Sequence, residues 1–427
     1  MLDKSVIKRL IVEYQQNARV KKLLPRQHIF DNYSNYVLIG IRRAGKSYLL
    51  FQDIQQKIAS GTFSSEGFVY LNFEDERLSN VHAQELGLIL DCYNELYPES
   101  HPWVYLDEIQ LVDGWEKFAR RIADQGYRVM ITGSNAKMLG SEIATTLGGR
   151  YIPREVFPFT FKEFLEYNGV ILKDNWQYDR DLSAVIRNLF NIYFYYGGFA
   201  ENFDHEDKRE WLNALYQKIL LGDIIARNSV RAPRTFRLLA RKIAESIQQP
   251  VSQARLHNII KSTGESISLP VLKDYLDYMQ DAFLVFPITN LASALTERTT
   301  TEKRYYADNG LLNVFFTSAE GKLLENIVAI NLFQWYYSIE EPQIFYYNKN
   351  IEVDFCIPKK NLAIQVALDL SDVVTYEREV SALDKFIGAN PQYKGIIVTL
   401  DEEQIITTDS NLKIEVVPVW KWILMNV

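Results

Sequence analysis

Residues Tyr36 to Leu50 read YVLIGIRRAGKSYLL, and the meaning of this stretch decides the fold. Its centre, Gly40-Ile41-Arg42-Arg43-Ala44-Gly45-Lys46-Ser47, is a full match to the phosphate-binding pattern G-x-x-x-x-G-K-[ST]. The apolar run Tyr36 to Ile39 predicts a buried strand before the loop. Leu49, Leu50 and Ile54 give helix-compatible apolar positions after it, so the strand–loop–helix context of the pattern is present. Gly40 and Gly45 permit backbone angles and a close approach that a side chain would block. The loop amides and the helix N-terminus then face an anion. Every residue from Gly40 to Ser47, with Tyr48 beyond it, is therefore a candidate phosphate contact. Lys46 is placed to reach the outer phosphates, and the Ser47 hydroxyl to ligate Mg²⁺. A bare glycine turn that binds nothing is the competing reading, and the flanking pattern argues against it. A nucleoside triphosphate is the expected ligand.

Around this loop the chain is an ordinary globular sequence. Its 427 residues suggest about three domains, and 47% hydrophobic with 24% charged residues is usual composition. The net charge of −7 argues against a protein that coats nucleic acid, while leaving room for a local basic face. The two cysteines, Cys92 and Cys356, lack metal-ligand spacing, which predicts a reducing compartment. No leader pattern stands at the N-terminus, and no apolar run approaches the roughly 18 residues of a membrane span. A cytoplasmic protein without membrane contact is expected.

In chain order, Val6, Leu10, Ile11, Tyr14 and Ala18 predict an amphipathic helix over Asp3 to Lys22. Arg26 and Gln27 in the following linker either border a base or are simply solvated. The strand Phe68 to Phe73 ends in Glu74-Asp75-Glu76-Arg77, read as a solvated loop or as part of a ligand edge. Trp103-Val104-Tyr105-Leu106-Asp107-Glu108 is an apolar strand ending in two acids. Downstream of a complete phosphate loop, Asp107 is the candidate Mg²⁺ residue and Glu108 the candidate general base. After the strand Tyr127 to Thr132, Gly133-Ser134-Asn135 marks its tip. Ser134 and Asn135 are candidates to touch the γ-phosphate and orient water, against an ordinary turn. Arg150 is a candidate charge neutraliser, in its own subunit or a neighbour's, against a surface arginine.

The phosphate loop, YLNFEDER, VYLDEI, ITGSNA, GRY and FPFTFKEFL occur in the order seen in a largely uncharacterised family of bacterial and archaeal AAA-type ATPases, and the chain resembles that family. YYGGFAENF, KRYYADNGLL and GKLLENIVAINLF extend the likeness over nearly the whole length. The resemblance implies that Gly40, Gly45, Lys46 and Ser47 bind ATP with Mg²⁺, that Asp107 and Glu108 form the hydrolytic pair, and that Arg150 belongs to the lid. An Asn-Lys-x-Asp guanine-reading motif is absent, which disfavours GTP.

Ala226 to Ile243 carries Arg227, Arg231, Arg234, Arg237, Arg241 and Lys242 with no acid, and suits DNA phosphates, a neighbouring nucleotide, or a paired helix face. Ser252 to Pro287 reads as a winged helix-turn-helix whose second helix exposes Asp274 and Asp277, which argues against major-groove reading and for a packing role. Residues 303–427 look like a restriction-endonuclease-like core of the PD-(D/E)xK type, with Glu325 on a helix and Asp354 on a strand. The next strand carries Gln365 and Ala367 where an active site needs Glu and Lys, so no nuclease activity is expected unless a distant residue such as Lys385 substitutes. The expected fold is thus α/β. A P-loop, AAA-type parallel sheet occupies 1–165, a helical lid and winged-helix region 166–300, and a degenerate nuclease-like domain 301–427. The expected function is Mg²⁺-dependent ATP hydrolysis driving a conformational switch. The alternative is a nucleotide-gated module that binds DNA or protein with little hydrolysis. Oligomerisation is left open.

Overall fold

The computed structural model describes residues 3–28, 30–139, 146–298, 300–336 and 343–426. The chain packs into two compact units, Met1–Phe157 with Asp281–Phe283, and Pro158–Gln280 with Leu284–Val427.

The first unit is built on five parallel strands: β1 (Asn35–Ile39), β2 (Phe68–Asn72), β3 (Trp103–Asp107), β4 (Val129–Gly133) and β5 (Tyr151–Glu155). Their order in the sheet is β2-β3-β4-β1-β5, every pairing parallel. The register sets Ile39 opposite both Gly133 and Glu155, and Asn72 opposite Asp107. Parallel strands joined by helices are covered on both faces and so read as continuous apolar runs. Asn35–Ile39 accordingly has every residue buried. The period of two sorts the side chains: Val37, Ile39, Val69, Leu71, Val104, Leu106, Val129 and Ile131 share one core. That core also takes Ile7, Leu10 and Ile11 from α1 (Lys4–Val20), which is capped by Asp3, its side chain accepting from the Ser5 N–H. The alternate residues face α2 (Lys46–Ala59), where the Tyr70 ring meets Phe51 and the Tyr105 hydroxyl donates to Asp53 at 2.7 Å. α3 (Gly87–Leu96) and α4 (Trp115–Asp124) complete the unit.

The second unit contains a nine-stranded mixed sheet. Its strands are β6 (Val251–Ser252), β7 (Val285–Asn290), β8 (Thr301–Tyr306), β9 (Phe345–Asn348), β10 (Glu352–Ile357), β11 (Leu362–Val366), β12 (Lys394–Thr399), β13 (Gln404–Thr407) and β14 (Lys413–Pro418). They run in the order β13-β14-β12-β11-β10-β9-β7-β8-β6. The helices Gln253–Ser262 and Leu269–Asp281 fall where the sequence placed a helix pair, with the Ser252 hydroxyl capping the first. The strand after them is not an isolated wing. β7 pairs antiparallel with β8 and parallel with β9, so strands on both sides of residue 300 belong to one sheet. Among the described residues no helix is long and apolar enough to cross a membrane.

Candidate nucleotide site

The loop after β1 leaves the carboxyl edge of the sheet, the edge where open α/β folds bind ligands. Gly40 is required there: a Cβ at this position would stand 2.1 Å from the Val156 carbonyl oxygen. Gly45, at φ 97°, caps α2 from the left-handed region. Arg43 adopts φ 64° without being glycine, so part of the loop is held in a strained conformation.

The Lys46 side chain is buried. Its ammonium folds back onto the loop, donating to the carbonyl oxygens of Gly40 (3.0 Å) and Ile41 (3.1 Å) and lying 3.8 Å from Glu108 Oε1. Arg42 pairs with Glu74 at 3.0 Å, so the charged loop after β2 does border the site, with its charges in ion pairs. Asp75 accepts from Tyr14 and from Arg77, which ties that loop to α1. Ile41 and Ala44 are buried, and Tyr48 is exposed beneath the Lys21 ammonium.

β3 ends at the same edge and delivers the two acids. Asp107 is fully buried, which pushes its carboxyl above the ordinary range, aided by the charge of Glu108. Hydrogen bonds from Thr132, Tyr70 and Ser47 oppose that shift by favouring the carboxylate. Burial pushes Glu108 the same way. The Lys46 charge, the Gln110 amide, Arg42 and Ser134 outweigh it and hold Glu108 below its usual value. Glu108 is a second strained residue, at φ 54°. Its N–H donates to Thr132 Oγ1 at 3.0 Å, and the Thr132 hydroxyl in turn donates to Asp107.

The structure therefore brings Lys46, Ser47, Asp107, Glu108 and Ser134 to one place, with half-buried Asn135 following Ser134 at the tip of β4. Arg150 is not brought there. It precedes β5, and its carbonyl accepts from Asn35 at the amino end of β1, the opposite edge of the sheet. Its guanidinium pairs with Asp124. A role at its own chain's phosphate loop is thus corrected by the topology. Arg26 is corrected too: it is buried rather than solvated, and its guanidinium donates to the carbonyl oxygens of Ala44 and Phe157, both at 3.0 Å.

Sequence reasoning missed Tyr70, Thr132, Gln110 and Glu155. Tyr70 and Thr132 were hidden inside strand predictions, although a polar side chain beside an acid on a neighbouring parallel strand is the available signal. Gln110 donates to Glu108, and among the described residues its own buried Oε1 has no hydrogen-bond partner. Glu155, half-buried opposite Ile39, is pushed up to about 8 by desolvation.

In the second unit Glu325, Asp354 and Gln365 line a cavity of about 570 Å³ that also meets Glu352, Arg378, Glu379 and Lys385. Gln365 is held at both amide ends. Its Oε1 accepts from the Asp354 N–H at 2.7 Å, and its Nε2 donates to Glu379 at 2.7 Å. Ala367 lies buried past the end of β11.

A family model described as AAA domain matches residues 32–165, and one described as a domain of unknown function, DUF8612, matches residues 187–320. The uncharacterized protein MJ1544 of Methanocaldococcus jannaschii is 33% identical, covering 99% of this chain and 96% of its own length. An uncharacterized protein of Haemophilus influenzae is 30% identical over 91% of this chain and 94% of its own length. Among solved structures, the Walker-type ATPase PABY2304 of Pyrococcus abyssi aligns with 74% of this chain and 96% of that one, at 17% identity and a TM-score of 0.39.

Proposed function

The chain belongs to the family of its Methanocaldococcus jannaschii and Haemophilus influenzae relatives and carries an AAA domain; from that premise we propose that it is an ATPase whose nucleotide state switches its accessory regions. One observation carries the reading: the convergence of Lys46, Ser47, Asp107 and Glu108 at the carboxyl edge of a parallel sheet.

In this reading the amides from Gly40 to Tyr48 surround the phosphates of ATP. Lys46 leaves the Gly40 and Ile41 carbonyls for the outer phosphates, a short movement for a flexible side chain. The hydrogen bond between Ser47 and Asp107 offers paired hard oxygen donors, which fits Mg²⁺. When bound, that ion supplies charge neutralisation for the phosphates. Glu108, kept ionised by Lys46, Arg42, Gln110 and Ser134, takes the proton of the attacking water. Ser134 and Asn135 orient that water, and Gln110 Oε1, an acceptor with no partner among the described residues, lies beside Glu108. Arg150, at the opposite edge of the sheet, is left with a neighbouring subunit's nucleotide as its target in this reading. In this reading 1–165 is the ATPase, a lid and winged-helix region follows from 166, and a restriction-endonuclease-like region without nuclease activity lies towards 427, with the expected break at 300 falling inside one continuous sheet rather than between domains. The helix pair before β7 and the mixed sheet of β10 to β14 support those two assignments.

The test is ATP turnover by purified protein with Mg²⁺, compared with Glu108→Gln and Lys46→Ala. Glu108→Gln should keep nucleotide binding and lose turnover, while Lys46→Ala should lose both. Turnover in Glu108→Gln equal to that of the parent would sink the proposal.

A second reading, a nucleotide-gated DNA- or protein-binding module, has one observation in its favour. Arg231, Arg234, Arg237 and Arg241 are exposed on or just before the helix Pro233–Glu245. Ion pairs of Arg234 with Glu265 (3.1 Å) and of Arg241 with Glu245 (3.2 Å) weaken that face as a phosphate surface.

A further inference from the structure

The cavity of the second unit holds a feature that the ATPase reading does not use. Lys303, on β8, has a side chain with no solvent exposure. Its ammonium lies 3.0 Å from Asp354 Oδ1, 3.3 Å from Glu325 Oε1 and 3.4 Å from Glu352 Oε1. Those carboxylates come from two separate elements, the helix Glu320–Tyr336 and β10. Two residues along β8, Tyr305 donates its hydroxyl to the same Glu325 oxygen at 2.7 Å. The second oxygen of Asp354 accepts from the Val366 N–H at 3.0 Å. Every convergent oxygen of Glu325 and Asp354 that these distances describe is therefore satisfied by a protein donor.

A restriction-endonuclease-like pocket implies a divalent cation, and this donor set does not fit one. A metal on the same oxygens would sit about 2.0–2.6 Å from each, which puts it in contact with the Lys303 ammonium. Gln365 cannot replace a carboxylate ligand either, because its amide is engaged by Asp354, Glu352 and Glu379. A buried ammonium without partners would be strongly unfavourable, and the carboxylates without a cation equally so. Each half explains the other.

We propose that Lys303 is the pocket's own tethered cation: its ammonium takes the place of a divalent metal between Glu325 and Asp354 and keeps the pocket metal-free. Three carboxylates converge on one point, and one lysine occupies it. This inference stands on the second unit alone and is independent of ATP hydrolysis.

The test uses full-length protein without nucleotide, Mn²⁺ as probe, and four chains: the parent, Asp354→Asn, Lys303→Met, and Lys303→Met combined with Asp354→Asn. Bound Mn²⁺ is read from loss of the free-ion paramagnetic resonance signal, and stability from thermal melts with and without millimolar Mn²⁺. Lys303→Met should take up one Mn²⁺ more than the parent and regain melting temperature on adding Mn²⁺. Both gains should vanish in the double variant. A parent protein whose bound Mn²⁺ is lost on Asp354→Asn would overturn the proposal, because the pocket would then hold metal beside the lysine. So would a Lys303→Met chain that gains no Mn²⁺, or one that stays unfolded with Mn²⁺ present.

Discussion

Tyr70→Phe removes a single oxygen from the interior of the first unit and isolates one hydrogen bond. The Tyr70 hydroxyl donates to Asp107 Oδ2 at 2.6 Å, and both groups are buried. The ring contacts with Phe51 and Tyr14, at 4.8 and 5.2 Å between centroids, survive the substitution. A hydrogen bond to a charged group contributes about 1.5–3 kcal/mol, so the variant should be less stable by that amount at pH 8. The same energy reappears in titration. Tyr70 favours the carboxylate of Asp107 against burial, so removing it must raise the folded-state value of Asp107 further. The sign is fixed: the stability difference is full where Asp107 is ionised and shrinks as pH falls through its folded value. Denaturant unfolding at a series of pH values measures the first effect, and the acid limb of ATP turnover, moving to higher pH, measures the second. A difference below about 0.5 kcal/mol at pH 8, within the range of ordinary surface changes, or one that grows on acidification, would refute the argument.

Four further outcomes follow from the same geometry. Gly40→Ala forces its new Cβ against the Val156 carbonyl oxygen, so nucleotide binding should be abolished and stability lowered by about 3 kcal/mol or more, read by nucleotide titration and unfolding. Arg26→Met leaves the Ala44 and Phe157 carbonyls without this donor, which at about 1–3 kcal/mol per lost partner should weaken ATP binding while the fold persists by circular dichroism. Glu155 has a folded value raised to about 8, so stability should fall as pH rises from the ordinary carboxyl range to about 8. Glu155→Gln should flatten that limb, which can decline by at most about 1.4 kcal/mol per pH unit. If the basic helix grips duplex DNA, Arg231→Glu with Arg237→Glu should abolish binding; binding unchanged in that variant, or without steep salt dependence, would remove the DNA reading.

How much of this was legible in the sequence depended on distance along the chain. The loop from Gly40 to Ser47 and the acids Asp107 and Glu108 announce themselves because each is a contiguous pattern at the end of an apolar run. The helix pair near Ser252 was legible for the same reason, through a cap and a turn. Arg150 misled because GRY, as a string, carries no information on strand direction. Only the parallel register of β1 and β5 puts its position at the wrong edge. Arg26 looked solvated because its partners, Ala44 and Phe157, are distant in sequence. The C-terminal pocket was half legible: Glu325, Asp354 and the unusual Gln365 stand in strings that invite comparison. Lys303 precedes them all on a strand three places away from β10 in the sheet, and nothing local marks it.

Thr132 carries a last consequence. A hydroxyl has one proton to give and lone pairs to receive. Because the Glu108 N–H can only donate, the Thr132 proton has a fixed destination, the Asp107 carboxylate. The two acids are therefore wired in series, with a direction, rather than sitting side by side as separate components. Negative charge on Asp107 polarises the hydroxyl, tightens its hold on the Glu108 amide and helps keep that residue at its positive φ. In the proposed ATPase, a cation held by Asp107 would slacken the same line. A single threonine thus joins the side chain of one acid to the backbone of the next.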